Sequence, residues 1–415
     1  MKIAIDARAL TNERLTGVGH YTLELITNLA DESPEDDFFV FVSGTEVSLR
    51  RVPQIRRRNI HLVDVRIPNR LLSLLLLLPF SPFTLESFLP KTPDVWIFPN
   101  HNVIKTNLPY LFTVHDVSFL IFPKFFSRKD RLARKLQKID VLCTNAQGIL
   151  AVSEATASDV HGYYKIPNEK IAVTHLGVDQ TKFVPREQPS DKTFRATYDL
   201  NREYLLCAAT LEPRKNIEGV IEAYDSFRSK GGVPLPLVIM GGNGFHHRRV
   251  LEAQERAMFG ADIRFLGYVP EKHKPAVFRG ASAFLFPSFY EGFGLPVLEA
   301  MASGVPVITS FTSSLAEITA DSAILVDPLN VEDITQALLQ LFHETDGEKL
   351  RTTLIKKGLE QAKMFTWKET ARKTLETLES ILFETVFDAK RDNGGKGVPI
   401  EEFIQTLEKT LAENK

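Results

Sequence analysis

Short apolar runs, each ending in polar residues and separated by stretches of helical periodicity, leave this chain few ways to fold. In the first half the runs are residues 3–5, 38–42, 95–98, 111–114 and 148–152. Continuous apolar runs of this length suit strands buried on both faces, and parallel strands need helical crossovers between them. Alternation of this kind indicates an α/β domain built on a parallel sheet. Ligands of such sheets collect at the carboxyl ends of the strands. The residues found there are Asp6, Asn100, His101, His115, Asp116 and Ser153.

The alternation restarts after residue 200, with apolar runs at 204–208, 237–240, 263–266, 283–286 and 305–309. At 415 residues the chain exceeds one ordinary core, so two domains are expected. The polar segment PREQPSDKTFRA (185–196) reads as a linker, within a boundary between Asp179 and Asn201. Expected divisions are 1–190, 197–365, a helix over 366–387 starting near Trp367, and a tail over 388–415. In the tail, Asn393-Gly394-Gly395 precedes a last amphipathic helix at about 400–411.

With 44% hydrophobic and 25% charged residues, the composition is that of a soluble globular protein. A net charge of −2 argues against nucleic acid as the main partner. Cys143 and Cys207 read as two buried thiols and give neither a disulfide framework nor a metal site. The start MKIAIDARAL lacks a basic region followed by an apolar core, so cytoplasmic residence is expected. Residues 71–80, LLSLLLLLPF, are too few to span a bilayer, which takes about 20. They follow Arg50, Arg51, Arg56, Arg57, Arg58, Arg66 and Arg70. The combination fits a buried element, and it equally fits a patch seated on an anionic membrane. The stretch 122–139, FPKFFSRKDRLARKLQKI, reads as a basic amphipathic helix with the same two interpretations.

The densest chemistry is in EGFGLPVLE (291–299), where Glu291 and Glu299 bracket two glycines and a proline. Pro296 suits the first turn of a helix over 296–303 that Gly304 ends. Gly292 and Gly294 let a ligand approach the backbone, and the N–H groups at the helix start attract phosphate. One acid then reaches a sugar hydroxyl and the other a ribose. Taken alone, the run also fits an acidic loop and an ordinary capped helix. Arg214 and Lys215 in TLEPRKN directly follow a strand of the second half, where two cations suit a diphosphate. His115 and Asp116 end the strand LFTV; neighbours on a strand point to opposite faces, which disfavours Asp116 as the partner that orients His115. Gly17-Val18-Gly19 lies between the first strand and first helix, but Thr22 breaks the full dinucleotide-binding pattern. Backbone at Gly241–Gly244 and at Gly267-Tyr268-Val269 follows further strands.

Taken together, these residues resemble retaining glycosyltransferases of family 4, which carry the E-x7-E signature. The stretch ARALTNERLTGVG (7–19) resembles the matching loop of mannosyltransferase-like members. AVSEAT (151–156) and THLGVD (174–179) also resemble family positions, and both are read as architectural, with Ser153 capping the helix after it. The resemblance implies a GT-B fold: two facing Rossmann-like domains, a cleft between them and a C-terminal crossover helix. It implies an N-terminal acceptor domain and a C-terminal donor domain. Glu291, His115, Arg214 and Lys215 would be catalytic. Glu299, Gly294, Leu295, Gly17, Gly19, Gly242 and Val269 would bind a nucleoside diphosphate sugar, with the 267–269 backbone meeting the base. GDP-mannose is the favoured donor and a UDP-sugar the next. The acceptor would be a glycan or a lipid-linked glycan. No Asp-x-Asp motif is present, so no metal or other cofactor is expected. Two rivals remain at this point: a nucleotide-sugar epimerase on the same fold, and a sugar- or lipid-binding protein without catalysis.

Overall fold

The computed structural model of the chain describes residues 1–78, 80–200 and 203–392. The first sheet holds β1 (Lys2–Asp6), β2 (Asp37–Ser43), β3 (Ile60–Val65), β4 (Val95–Phe98), β5 (Tyr110–Val114), β6 (Gly148–Ala151) and β7 (Ile171–Val173). All neighbours are parallel, in the order β3-β2-β1-β4-β5-β6-β7. The second sheet holds β8 (Tyr204–Ala208), β9 (Leu237–Met240), β10 (Ile263–Gly267), β11 (Ala281–Phe286), β12 (Val307–Ser310) and β13 (Ala323–Val326). It is also parallel, in the order β10-β9-β8-β11-β12-β13. Strand order reverses between β1 and β4 and again between β8 and β11, and ligand crevices open at such points.

Alternate residues of the first sheet serve different layers. Ile3, Ile5, Phe38, Val40, Val95 and Ile97 pack into one core, whereas Ala4, Phe39, Phe41, Trp96 and Phe98 pack into the other. The first of these cores continues into the second domain and takes in Trp367, Ala371, Leu378 and Ile381 of the helix Trp367–Asp392. That helix crosses back to the first domain, as expected. Its Thr370 Oγ1 donates to the His175 carbonyl at 2.6 Å, Lys368 pairs with Glu32, and Trp367 lies 6.1 Å from the Tyr21 ring.

The segment 185–196 is not the open linker its polarity implies. Most of it belongs to the helix Pro189–Tyr198, where Phe194 is buried and Asp191 holds Arg279 at 2.7 Å. The expected tail break and last helix lie outside the described residues. The leucine-rich run forms the helix Asn69–Leu77, which buries Leu72 and Leu76 and leaves Leu71, Leu74 and Leu77 exposed, with Leu78 and Phe80 beyond it. The basic stretch forms the helix Arg128–Gln137, whose Leu132 and Leu136 are exposed; Lys138, at φ 50°, breaks it from the helix Ile139–Asn145. Among the described residues no helix is long and apolar enough to cross a membrane.

Candidate active site

A cavity of about 850 Å³ opens between the carboxyl ends of the two sheets. Its wall on the second-domain side is the loop after β11 and the helix Leu295–Ala302 that follows. Gly294 stands before that helix at φ +116°, a conformation that side chains rarely adopt, and Pro296 sits in its first turn. Gly292 has a different reason to be glycine. A Cβ there would lie 1.7 Å from the His115 carbonyl oxygen, so the two domains touch backbone to backbone at this point.

Glu291 is buried and doubly paired. Arg214 Nη1 donates to its Oε2 at 2.8 Å, and Lys215 Nζ donates to its two oxygens at 2.6 and 2.8 Å. Burial alone would raise this carboxyl; the charges of Arg214 and Lys215 outweigh it and hold the group below its ordinary value. Lys215 lines the cavity. Arg214 is not among the lining residues; besides Glu291 it donates to the Tyr290 carbonyl and to Glu212.

Glu299 projects from the second turn of its helix and meets a separate cation. Lys274 Nζ reaches its Oε1 at 3.2 Å, and its Oε2 is buried with no hydrogen-bond partner among the described residues. Burial raises the Glu299 carboxyl above its ordinary value, against the pull of Lys274. Lys274 also pairs with Glu271, and Glu271 Oε1 lies 3.0 Å from Nε2 of His20 in the opposite domain.

His115 donates its Nε2–H to the Pro99 carbonyl at 2.8 Å, which leaves Nδ1 unprotonated in the neutral ring. Burial lowers its pKa and keeps it neutral. Asp116 does not orient it. Its Oδ1 accepts from the N–H and hydroxyl of Ser118, and although burial opposes the charge, Arg214 and Ser118 hold the carboxyl at about 2.

Glu291, His115, Lys215, Glu299, Gly294, Leu295, Gly17, Gly242 and Val269 all line the one cavity. Gly19 does not. The helix Gly17–Glu32 begins at Gly17, so Gly-x-Gly forms a first helical turn and not a loop, and the Gly19 N–H is capped by Thr16 Oγ1.

Residues 15–182 match the model for Glycosyltransferase Family 4, and residues 190–361 match that for Glycosyl transferases group 1. The O-antigen chain mannosyltransferase B of Escherichia coli is 30% identical over 374 residues, spanning 87% of this chain and 95% of that protein. This chain belongs to the family-4 glycosyltransferases. Its GT-B fold matches sucrose-phosphate synthase from Thermosynechococcus elongatus at a TM-score of 0.71 and 18% identity, covering 94% of this chain and 99% of that one. It also matches Anabaena HepE, solved with UDP-glucose, at 0.66 and 18%, covering 92% and 100%. At those identities the likeness concerns fold alone.

In this glycosyltransferase several residues join the site that the motifs did not single out. Lys274, Glu271 and His20 connect Glu299 to the facing domain. Their only trace in the sequence is the Glu271–Lys274 spacing, which places the two one helical turn apart. Ser153, correctly read as a cap because its Oγ accepts the Thr156 N–H, also donates to the Gly292 carbonyl at 2.7 Å.

Proposed function

We propose that the chain is a retaining mannosyltransferase that uses GDP-mannose and acts on a hydroxyl of a glycan or lipid-linked glycan, without a metal ion. The observation that carries this reading is the pairing of roles at the cleft: Glu291 pinned by two cations, and Glu299 with one buried oxygen unsatisfied. Glu299 Oε2 suits a ribose hydroxyl. Glu291, held ionised and fixed, suits a hydroxyl of the donor sugar. The free Nδ1 of His115 accepts a hydrogen bond from another sugar hydroxyl. Lys215 faces the β-phosphate and stabilises the charge that grows there, while Arg214 supports it through Glu291. The acceptor oxygen attacks the anomeric carbon on the face from which the phosphate leaves. The C–O bond to phosphate breaks, and a phosphate oxygen takes the acceptor's proton. Closure of the domains excludes water and limits donor hydrolysis. The mannosyl assignment draws on the resemblance to the E. coli mannosyltransferase.

Cytoplasmic residence with peripheral attachment to an anionic membrane is part of the proposal. It is supported by exposed Leu71, Leu74, Leu77, Leu78 and Phe80 near Arg66 and Arg70, and by exposed Leu132 and Leu136 in a helix rich in Arg and Lys.

The test is transfer from GDP-mannose, with UDP-glucose in parallel, to a mannose-ended glycan in the presence of a chelator. Expected are GDP release that depends on the acceptor and a product of unchanged anomeric configuration by NMR. An epimer formed without acceptor, an inverted product, or loss of transfer on chelation would each contradict the reading.

A further inference from the structure

Glu291 belongs to the donor domain, yet the residues on either side of it are held by the acceptor domain. Tyr290 Oη donates to Asp159 Oδ2 at 2.5 Å. The Gly292 carbonyl accepts two hydroxyls, Ser153 Oγ at 2.7 Å and Thr156 Oγ1 at 3.1 Å. Ser153 and Thr156 are fully buried. All three acceptor-domain groups come from one short stretch: Ser153 caps the helix Glu154–Tyr164, and Thr156 and Asp159 lie in its first two turns. The start of the same helix is tied to the donor domain a second time, because the Glu317 carboxylate accepts the N–H groups of Glu154 and Ala155 at 2.9 and 3.2 Å. On the other flank of the loop, Phe289 stacks on Phe125 of the acceptor domain with ring centres 5.7 Å apart.

The donor domain supplies anchors of its own. Ser314 Oγ donates to the carbonyls of Glu291 and Phe293, and Ser313 Oγ accepts the Glu291 N–H. These fix the loop's inner edge. They leave the Gly292 carbonyl pointing across the cleft, where, among the described residues, the acceptor-domain hydroxyls of Ser153 and Thr156 satisfy it. Gly292 is also where a side chain would strike the His115 carbonyl, so the hydroxyl contacts and the close backbone approach meet at one residue.

We infer that Ser153, Thr156 and Asp159 are positioning residues that set Glu291 only when the domains close. The donor site is thereby completed by the acceptor domain. The inference rests on the role proposed above for Glu291. Donor affinity rests on the nucleotide contacts of the donor domain, such as Glu299, and precedes closure; the sugar contacts of Glu291 and of His115 from the acceptor domain form on closure, and turnover needs them. Removing the cross-cleft bonds therefore lowers kcat and spares donor affinity.

The experiment compares full-length Ser153→Ala/Thr156→Val, Tyr290→Phe and the hydroxyl-retaining Ser153→Thr/Thr156→Ser. The readings are steady-state transfer, calorimetric donor affinity and thermal stability. For the first two variants kcat is expected to fall about 10-fold, the scale of one or two buried hydrogen bonds, with donor Kd unchanged within about 2-fold. The hydroxyl-retaining pair is expected to recover most of the loss. Combining Tyr290→Phe with Glu291→Gln is expected to give less than the product of the two separate losses. An unchanged kcat, an equal loss in donor affinity, or independent multiplication of the two effects would overturn the positioning role. Wild-type turnover in Glu291→Gln alone would instead remove the role given to Glu291. Tyr290→Phe keeps the ring and its packing, so it decides the matter even if the double variant folds poorly.

Discussion

The two acids of the signature have different environments, and their substitutions should separate accordingly. Glu291 is ionised, fixed and paired with Lys215 and Arg214, so Glu291→Gln should lower turnover about 10²-fold with a small change in donor affinity. Glu299 offers a buried oxygen that no described residue hydrogen-bonds, so Glu299→Gln should weaken donor binding by about 10-fold and leave turnover less affected. Steady-state kinetics with calorimetry of the donor nucleotide checks both. Arg214→Ala should cost about 10²-fold in transfer, because it strips one of the two cations from a buried carboxylate. A second buried histidine gives a pH signature. His101 accepts from Arg134 Nη1 at 2.7 Å, and burial, reinforced by that cation, holds it near 3. The unfolded chain binds a proton at His101 below its ordinary value of about 6.5, and the folded chain does not until about 3. Stability from this group is therefore intact above about 6.5 and falls by about 1.4 kcal/mol per pH unit through that window. His101→Asn retains an acceptor for Arg134, so the difference between its denaturation curve and that of wild type across pH 4–7 should isolate the slope. The individual residues were readable as types: two acids, two cations and a histidine. Which acid meets which cation was not, since Lys274 lies 25 positions from Glu299 and no local pattern joins them.

Buried central strands were the most legible of the secondary elements. The central strands β1, β2, β4, β5, β6, β8, β9, β11 and β12 stand out as apolar runs because layers of helix cover both their faces. β3, β7 and β13 were missed, and each is the last strand at one edge of its sheet; β10, the remaining edge strand, was legible only through its run IRFL. β3 reads IHLVDV and exposes His61, Leu62 and Asp64; β7 spans three residues and none of them is buried. An edge strand has one neighbour and mixed surroundings, so its composition carries a weaker signal. The segment 185–196 misled for a related reason: its polarity marks the exposed face of a helix held by Phe194 and the Asp191–Arg279 pair. The loop between β11 and the helix Leu295–Ala302 is where an element-level change should cost most. Gly292→Ala would set a Cβ against the His115 carbonyl and force the loop or the facing strand end to move. The expected result is a loss of transfer above about 10²-fold with a modest drop in melting temperature, read by kinetics and calorimetry.

For the molecule as a whole, the exposed leucines beyond Arg66 and the basic helix Arg128–Gln137 both belong to the first domain, which is proposed to bind the acceptor. Flotation with liposomes rich in anionic lipid should carry the protein upward, and neutral liposomes should not. Leu74→Asp/Leu77→Asp, or Arg131→Glu with Lys135→Glu, should reduce flotation several-fold at unchanged melting temperature. Flotation independent of lipid charge would reject the electrostatic part of the docking. The two-domain α/β architecture, the strand-end location of the site and the family signature follow from local pattern, because apolar period, glycine, proline and charge act over a few positions. The cleft itself does not follow from local pattern. Pairing of His20 with Glu271 and capture of the Gly292 carbonyl by Ser153 and Thr156 are contacts that only domain apposition creates, and the Arg214–Glu291 pair forms only once the second domain has folded. Hydrogen bonds and ion pairs act at about 3 Å, so residues more than a hundred positions apart become partners only once two separately folded sheets face each other.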